Sequence, residues 1–536
     1  MEDKMGNIDG ATFKGMLESG CNNLVNRKKE VDALNVFPVP DGDTGTNMSL
    51  TFSNGLSEVK KSGSEQLAVV AKTLSRGLLM GARGNSGVIL SQIFRGFQQY
   101  VGDKEELTVK EFAEAMLNGA KLAYKAVMRP VEGTILTVVR ESADYADVYA
   151  EQNPTLTINE YLDVLCKEAQ ASLDRTPELL PILKEARVCD SGGAGLLAIF
   201  NGFRAYIEGS PIQEASSTTV SKEEIKESGY CTEFILKLSD SGVHLYKEDR
   251  FRTSLNKLGQ NMTVILDDTL LKVRVYTVTP GEVLNLGQRY GEFVKIQIDN
   301  VEEGVKPSIL EQEEEQEEKE FGIITVGSGE GLKKLFLGYR ADVVVTGGQT
   351  MNPSTEDFVS AIKKVNARHI FILPNNSNII MAANQAATVT EDKDIIVLPT
   401  KSVPQGLAAC ISFNPEGTVE ENTNDMKAAI EHVKTGSVTY AIKDTTVDGQ
   451  EIHSGDYMGI KEKDIVAISK DKIEATCELI KQLCDEDSEI ITLLRGEDAT
   501  DEEFEAIQNF IEENYEVDID AEDGKQPVYS FIIGVE

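Results

Sequence analysis

Tryptophan is absent from this chain of 536 residues, histidine occurs four times, and the seven cysteines form no Cys-x-x-Cys pair. Each gap removes a class of function. His244, His369, His432 and His453 lie far apart, so histidine catalysis would need tertiary convergence. Cys21, Cys166, Cys189, Cys231, Cys410, Cys477 and Cys484 are scattered, which fits reduced thiols better than a disulfide framework. A basic surplus is also missing. With 89 acidic against 53 basic residues the net charge is −36, which argues against a nucleic-acid partner. No run of eighteen apolar residues occurs and Met1 to Gly10 is polar, so the expectation is a cytoplasmic protein with no transmembrane segment. No Walker lysine motif is present, which excludes a P-loop enzyme.

What the chain does have is length for about three domains and one unusual loop, Asn35 to Ser49. Pro38 and Pro40 fix an extended entry and remove two backbone donors. Asp41-Gly42-Asp43 then sets two carboxylates around a glycine, hard oxygen ligands of the kind that suit Mg²⁺. Thr44-Gly45-Thr46-Asn47 leads into a predicted helix, and such a loop at a helix N-terminus is a place for phosphate. Carboxylates repel phosphate unless a metal lies between them. Asp-Gly-Asp alone would equally suit an acidic turn capping a helix.

Residues 1–35 have helical spacing, and a helix follows the acidic loop through Val59. The helical pattern of 66–101 is broken by Gly81-Ala82-Arg83-Gly84-Asn85-Ser86-Gly87, which suggests close backbone approach to a ligand, or else a helix–helix turn. Residues 108–128 and 155–175 are amphipathic, and a helix starts near Thr134. Asp190-Ser191-Gly192-Gly193-Ala194-Gly195 repeats the plan of a polar, glycine-rich loop opening an apolar helix. The N-terminal 207 residues therefore read as all-helical, with loops gathered at one rim. Residues 208–224 form a Ser/Thr/Glu-rich linker. Residues 225–306 form a small α+β domain, with strands at Thr232–Leu238, Met262–Leu266, Leu271–Thr277 and Phe293–Ile298. Residues 311–320 are an acidic tether with nothing to bury. From 320 to 536, short apolar strands alternating with helices predict an α/β domain with a parallel sheet. Gly327-x-Gly329-x-Gly331 lacks the dinucleotide-binding spacing, and 426–484 reads as further helices.

The acidic loop, the Gly-Ala-Arg-Gly-Asn-Ser-Gly break and the Asp-Ser-Gly-Gly-Ala-Gly loop occur in this order in the nucleotide-binding subunit of dihydroxyacetone kinases, which this region resembles. With the loops Gly347 to Thr355 and Leu373 to Asn376, the whole chain resembles the ATP-binding catalytic subunits of bacterial fatty acid kinases. The resemblance implies an eight-helix barrel over 1–207 that holds ATP or ADP through Mg²⁺. Asp41 and Asp43 would be metal ligands, with Asn35 near the place of a third carboxylate. Thr44, Thr46, Asn47, Gly84, Asn85 and Ser86 would meet the phosphates, and Thr134, Asp190 and Gly193 would line the adenosine side. Arg83 is a candidate for stabilising charge in the transition state, or for pairing with a surface acid.

The implied reaction transfers the ATP γ-phosphoryl group to the carboxylate of a fatty acid, giving an acyl phosphate for phospholipid metabolism. A separate, DegV-like acyl-carrier protein would present the fatty acid. The other modules would serve docking and dimerisation, with a homodimer expected. A carboxylic acid is ionised at neutral pH and attacks without a general base, which fits the scarcity of histidine. Relatives often pair a His-x-His strand with an upstream cysteine to hold a metal; here Arg274 and Tyr276 replace the histidines while Cys231 stays. Competing readings are a dihydroxyacetone-type small-molecule kinase and a nucleotide-sensing regulatory subunit without turnover. A lipid site in the C-terminal domain is a further option.

Overall fold

A computed structural model describes residues 7–36, 42–127, 129–215, 230–239, 246–255, 257–267, 270–300, 318–348, 352–441, 445–447, 450–462 and 464–536. The chain divides into two compact units, residues 1–215 with 317–536, and residues 216–316.

The first unit opens with helices α1 (Gly10–Asn26), α2 (Lys28–Ala33), α3 (Thr44–Ser62), α4 (Leu67–Gly81), α5 (Gly84–Val101), α6 (Val109–Ala126), α7 (Ile135–Gln152), α8 (Ile158–Leu179), α9 (Pro181–Ala186) and α10 (Ser191–Ile207). Local chemistry fixes several starts. Thr108 with Glu111, and Thr157 with Glu160, form capping boxes for α6 and α8. A short pairing of β1 (Ile8–Asp9) with β2 (Glu106–Leu107) ties the entry of α1 to the turn before α6. The eight long helices close a ring: α1 packs on α3, and contacts run through α4, α5, α6, α7 and α8 to α10, which returns to α1. Phe13, Phe52, Phe94, Phe97, Phe112, Tyr161, Phe200 and Phe203 fill the ring and are fully buried. At the closing seam a Cβ on Gly202 would stand 2.4 Å from the Gly20 Cα, so α1 and α10 meet almost backbone to backbone.

The C-terminal part of this unit begins with β7 (Lys319–Gly327), α13 (Glu330–Gly338), β8 (Val343–Thr346), α14 (Thr355–Lys364), β9 (Ala367–Leu373), α15 (Ile380–Val389) and β10 (Asp394–Val397), where α11, α12 and β3 to β6 belong to the second unit below. These four strands form an all-parallel sheet in the order β10-β9-β7-β8, as the strand–helix alternation predicts. Two helices, α16 (Val403–Ser412) and α17 (Val419–His432), lead to a second sheet. It contains β11 (Lys434–Tyr440), β14 (Tyr457–Lys461), β15 (Asp464–Ser469), β16 (Ile490–Gly496), β17 (Asp518–Gln526) and β18 (Phe531–Val535) in the order β15-β14-β11-β18-β16-β17. Helices α18 (Lys472–Leu483) and α19 (Asp501–Asn514) complete it, and β12 (Thr445–Val447) pairs separately with β13 (Gln450–Ile452). Of the stretch 426–484, α17 and α18 supply the expected helices, and five strands that the expectation did not include, β11 to β15, lie between them. Likewise Lys319 and Glu320, assigned to the acidic tether, begin β7.

Barrel and C-terminal domain share a core. Ala82 and Val88, from the α4–α5 region, are buried in one cluster with Phe358, Ile362, Ile370 and Ile372. Helix α14 packs on α4 and α15 on α5.

The second unit holds β3 (Tyr230–Leu238), α11 (Glu248–Leu255), β4 (Gln260–Asp267), β5 (Leu270–Thr277), α12 (Pro280–Gln288) and β6 (Gly291–Asn300). Its antiparallel sheet runs β4-β5-β3-β6 over a core of Phe234, Leu236, Phe251, Val273, Val275 and Val283. The side chains of Cys231, Arg274 and Tyr276 lie outside the described residues, as does most of the acidic tether. The six cysteines whose side chains are described are free. Among the described residues no helix is long and apolar enough to cross a membrane.

Candidate nucleotide site

Four helix N-termini meet at one rim of the barrel. Ser191 Oγ, opening α10, donates to Thr44 Oγ1, opening α3, at 3.2 Å. Gly84, opening α5, has φ +58, and a Cβ there would stand 2.6 Å from Asn47 Nδ2, so glycine is needed both for the turn and for the approach of α3. The start of α7 meets α10, where a Cβ on Gly192 would reach Ile135 Cβ at 3.1 Å. Each helix start carries about half a positive charge, so the four together present roughly two elementary charges before the carboxylates beside them are counted. That arrangement attracts a polyphosphate.

The acidic loop enters this rim. Gly42 takes φ +64, the left-handed region that glycine adopts at no steric cost. Asp43 occupies the cap position of α3, yet its side chain makes no capping bond. Asp32 takes over that duty: its Oδ1 accepts the Thr46 N–H and its Oδ2 the Thr46 hydroxyl, both at 2.9 Å. The Asp43 carboxylate thereby serves other partners, and Asn352 Nδ2 donates to its Oδ2 at 2.7 Å. Asn35 is buried at 7% exposure, whereas Asp41 lies outside the described residues.

Thr44 and Asn47 are buried at this rim, and the Thr46 donors are engaged by Asp32. Asn85 and Ser86 are half-buried in the first turn of α5, with Asn85 Nδ2 donating to Asn378 Oδ1 at 3.1 Å. Arg83 turns to the C-terminal domain: its Nη1 donates to the Asn352 carbonyl at 2.8 Å and lies 3.7 Å from Asp357 Oδ2. Thr134 donates its hydroxyl to the Val131 carbonyl. Asp190 is buried and accepts the Gly193 N–H at 2.7 Å, capping α10, while also holding the N–H groups of Ile135 and Gly192. Burial pushes its carboxyl up to about 6, against the lowering effect of those N–H groups. Gly193 sits deeper, where a Cβ would stand 2.8 Å from Val138 Cγ2.

The structure thus gathers Thr44, Asn47, Gly84, Asp190 and Gly193 around the helix starts, with Asp43 at their edge. Sequence reasoning missed two partners. Asp32 carries no local motif, since its bond to Thr46 spans 14 residues. Asn352 lies in the Gly347 to Thr355 loop, which marked a family without suggesting chemistry. Among the described residues no three His, Cys, Asp or Glu side chains gather as a metal cluster. Mg²⁺ needs only one or two carboxylates, taking water and phosphate oxygens for the rest, so the hard oxygens of Asp43 and Asn35 fit it.

Comparison with known proteins follows the same three parts. Residues 38–205 match the DAK2 domain, residues 227–307 the middle domain of FakA-like fatty acid kinase proteins, and residues 322–536 their C-terminal domain. Protein YloV of Bacillus subtilis (strain 168) is 46% identical, over 99% of either chain. An uncharacterized protein of Staphylococcus haemolyticus (strain JCSC1435) is 42% identical, again over 99% of both. Among solved structures, the dihydroxyacetone kinase of C. freundii aligns with a TM-score of 0.27 at 18% identity, covering 36% of this chain and 34% of that one. The full-length match at 46% identity, with all three parts matched in order, places the chain in the FakA-like fatty acid kinase family.

Proposed function

We propose that this chain is an ATP-dependent kinase that transfers the γ-phosphoryl group to the carboxylate of a fatty acid, giving an acyl phosphate and ADP. The observation that carries the reading is the meeting of four helix N-termini beside an Asp43 carboxylate that does not cap its own helix. Asp41, Asp43 and Asn35 are assigned to hold Mg²⁺, which when bound supplies charge neutralisation to the β- and γ-phosphates. Backbone and side-chain groups of Thr44, Thr46, Asn47, Gly84, Asn85 and Ser86 are assigned to the phosphates. Thr134, Asp190 and Gly193 are assigned to the adenosine side. Arg83, at the same edge, is assigned to charge that develops on the transferred group. The fatty acid carboxylate attacks phosphorus as the bond to the ADP oxygen breaks, and no proton has to move. Positioning and electrostatics are therefore the whole of the chain's task.

A DegV-like carrier presenting the fatty acid, a homodimeric state and a cytoplasmic location belong to the same proposal. The test is ATP-dependent acyl-phosphate formation from fatty acid loaded on DegV-family carriers, with and without Mg²⁺, for wild type and Asp43→Ala. Turnover that requires carrier, Mg²⁺ and Asp43 is the expected result. Tight nucleotide binding without turnover would favour a sensing role, and phosphorylation of dihydroxyacetone would replace the substrate while keeping the site.

A further inference from the structure

Asn352 stands in the C-terminal α/β domain, yet its side chain reaches the acidic loop of the barrel. We propose that Asn352 is a positioning residue for Asp43, so that the nucleotide site is assembled from both ends of the chain. This rests on the reading of Asp43 as a group that faces Mg²⁺ and nucleotide.

Geometry carries the assignment. Asn352 is 2% exposed, and its Nδ2 donates to Asp43 Oδ2 at 2.7 Å. An amide turned the other way would set its oxygen against a carboxylate, so the donating orientation is the favourable one. The Asn352 backbone is fixed from the barrel side as well, because its carbonyl accepts from Arg83 Nη1 at 2.8 Å. Just beyond it, Thr355 N–H donates to the Ala82 carbonyl at 3.2 Å and Ser354 bridges to Arg83. The residues that hold Asn352 are thus the residues that open α5. Its other amide atom, Oδ1, is buried with no hydrogen-bond partner among the described residues. A buried acceptor left open beside a carboxylate suits a donor that arrives with the ligand, such as water held by a cation.

The physical consequence is specific. Asp32 relieves Asp43 of capping α3, and Asn352 then selects one rotamer of the Asp43 carboxylate by a charge-assisted hydrogen bond. Groups that orient a metal ligand in this way commonly affect metal affinity by about ten- to a hundredfold when removed. A residue that merely docks two domains would leave the metal dependence alone.

The experiment measures ADP binding by the full chain as Mg²⁺ is titrated, for wild type, Asn352→Ala, Gln385→Leu, Asp43→Asn and the double variant Asn352→Ala/Asp43→Asn. Thermal melts without ligand check that each is folded. Gln385→Leu serves as the docking control, since it breaks the bonds to Leu79 and Gln92 between the two domains without touching Asp43 or any group assigned to the nucleotide. The expected result is a Mg²⁺ midpoint raised about tenfold or more in Asn352→Ala and unchanged in Gln385→Leu. In the Asp43→Asn background, Asn352→Ala should add nothing. Equal midpoints for Asn352→Ala and wild type, or an undiminished effect without the Asp43 carboxylate, would overturn the inference alone. Nucleotide binding by wild type that ignores Mg²⁺ would overturn it together with the metal reading of the site. Neither outcome depends on which acyl acceptor is used.

Discussion

Asp190 and Asp32 show two different uses of a carboxylate at a helix start. Asp190 is buried, and its carboxyl is raised to about 6. In the unfolded chain it titrates near 4, so the folded state holds the proton more tightly and stability falls as pH rises between these values. An asparagine in its place would keep the acceptor oxygen for the Gly193 N–H and never ionise. The stability advantage of Asp190→Asn should therefore grow from pH 4 to pH 7 and level off at roughly 3 kcal/mol. Denaturant midpoints at a series of pH values would show it; a gap independent of pH would contradict the burial argument. Asp32 is half-exposed and acts by accepting two bonds from Thr46. Asp32→Ala should lose about 1 kcal/mol of stability. It should also weaken Mg²⁺-dependent ADP binding, because Asp43 would then turn to cap α3 itself. Unchanged metal dependence in that variant would show that Asp43 is held regardless. The acidic loop and the glycine breaks were legible because they combine residue types that few structural roles need together. Asp32 and Asn352 were not legible, since their partners lie far along the chain and neither sits in a chemical motif.

Among the elements, those with a strong period declared themselves. The eight long helices bury apolar residues, and either helical spacing or a polar start before an apolar run marked them in the sequence. The parallel strands were equally plain, because the central β7 and β9 end in buried, mostly apolar runs, Ile323 to Val326 and Ile370 to Leu373. The second sheet was not plain. In β11, Lys434 to Tyr440, only Gly436 and Val438 are buried, and β14 is as sparse, so no apolar run marks either, while the apolar run of β15, Ile465 to Ile468, buries only Ala467. β11 pairs with β18, whose five residues are all buried, and β14 and β15 add on in turn beyond β11. The glycine break between α4 and α5 also proved tighter than its sequence suggests, because only Ala82 and Arg83 fall outside the helices. Glycine has a second role at the α1–α10 seam. Gly202→Ala should raise intrinsic helix propensity by about 1 kcal/mol. It would also force a Cβ to 2.4 Å from Gly20 and 2.5 Å from the Ser19 carbonyl, both backbone atoms that cannot swing away. Overpacking of this kind costs about 1–3 kcal/mol. The net expectation is a lower melting temperature for Gly202→Ala, and a rise would mean that the seam opens easily.

At the scale of the molecule, barrel and C-terminal domain behave as one folding unit because they share buried groups that neither satisfies alone. Leu79 is in the last turn of α4, where carbonyls lack partners within the helix. Its oxygen accepts from Gln385 Nε2 at 2.8 Å, and Gln385 Oε1 in turn accepts from Gln92 Nε2 at 3.1 Å. Ala82 and Val88 stand in the apolar core of the other domain. Separating the two domains would expose that core and strand these polar groups, so the calorimetric expectation is a joint transition for 1–215 with 317–536. Residues 216–316 form the other compact unit and should melt in a transition of their own. Gln385→Leu keeps the volume but removes both bonds, leaving the Gln92 amide buried and the half-buried Leu79 oxygen without its partner. An unsatisfied buried group costs about 1–3 kcal/mol, so the joint transition should move down by several degrees while the other stays in place. If the barrel instead melted at an unchanged temperature and only the C-terminal domain shifted, the two would be independent domains. Asn352 would then reach Asp43 only part of the time, and the site would be made and unmade by the docking of one domain on the other.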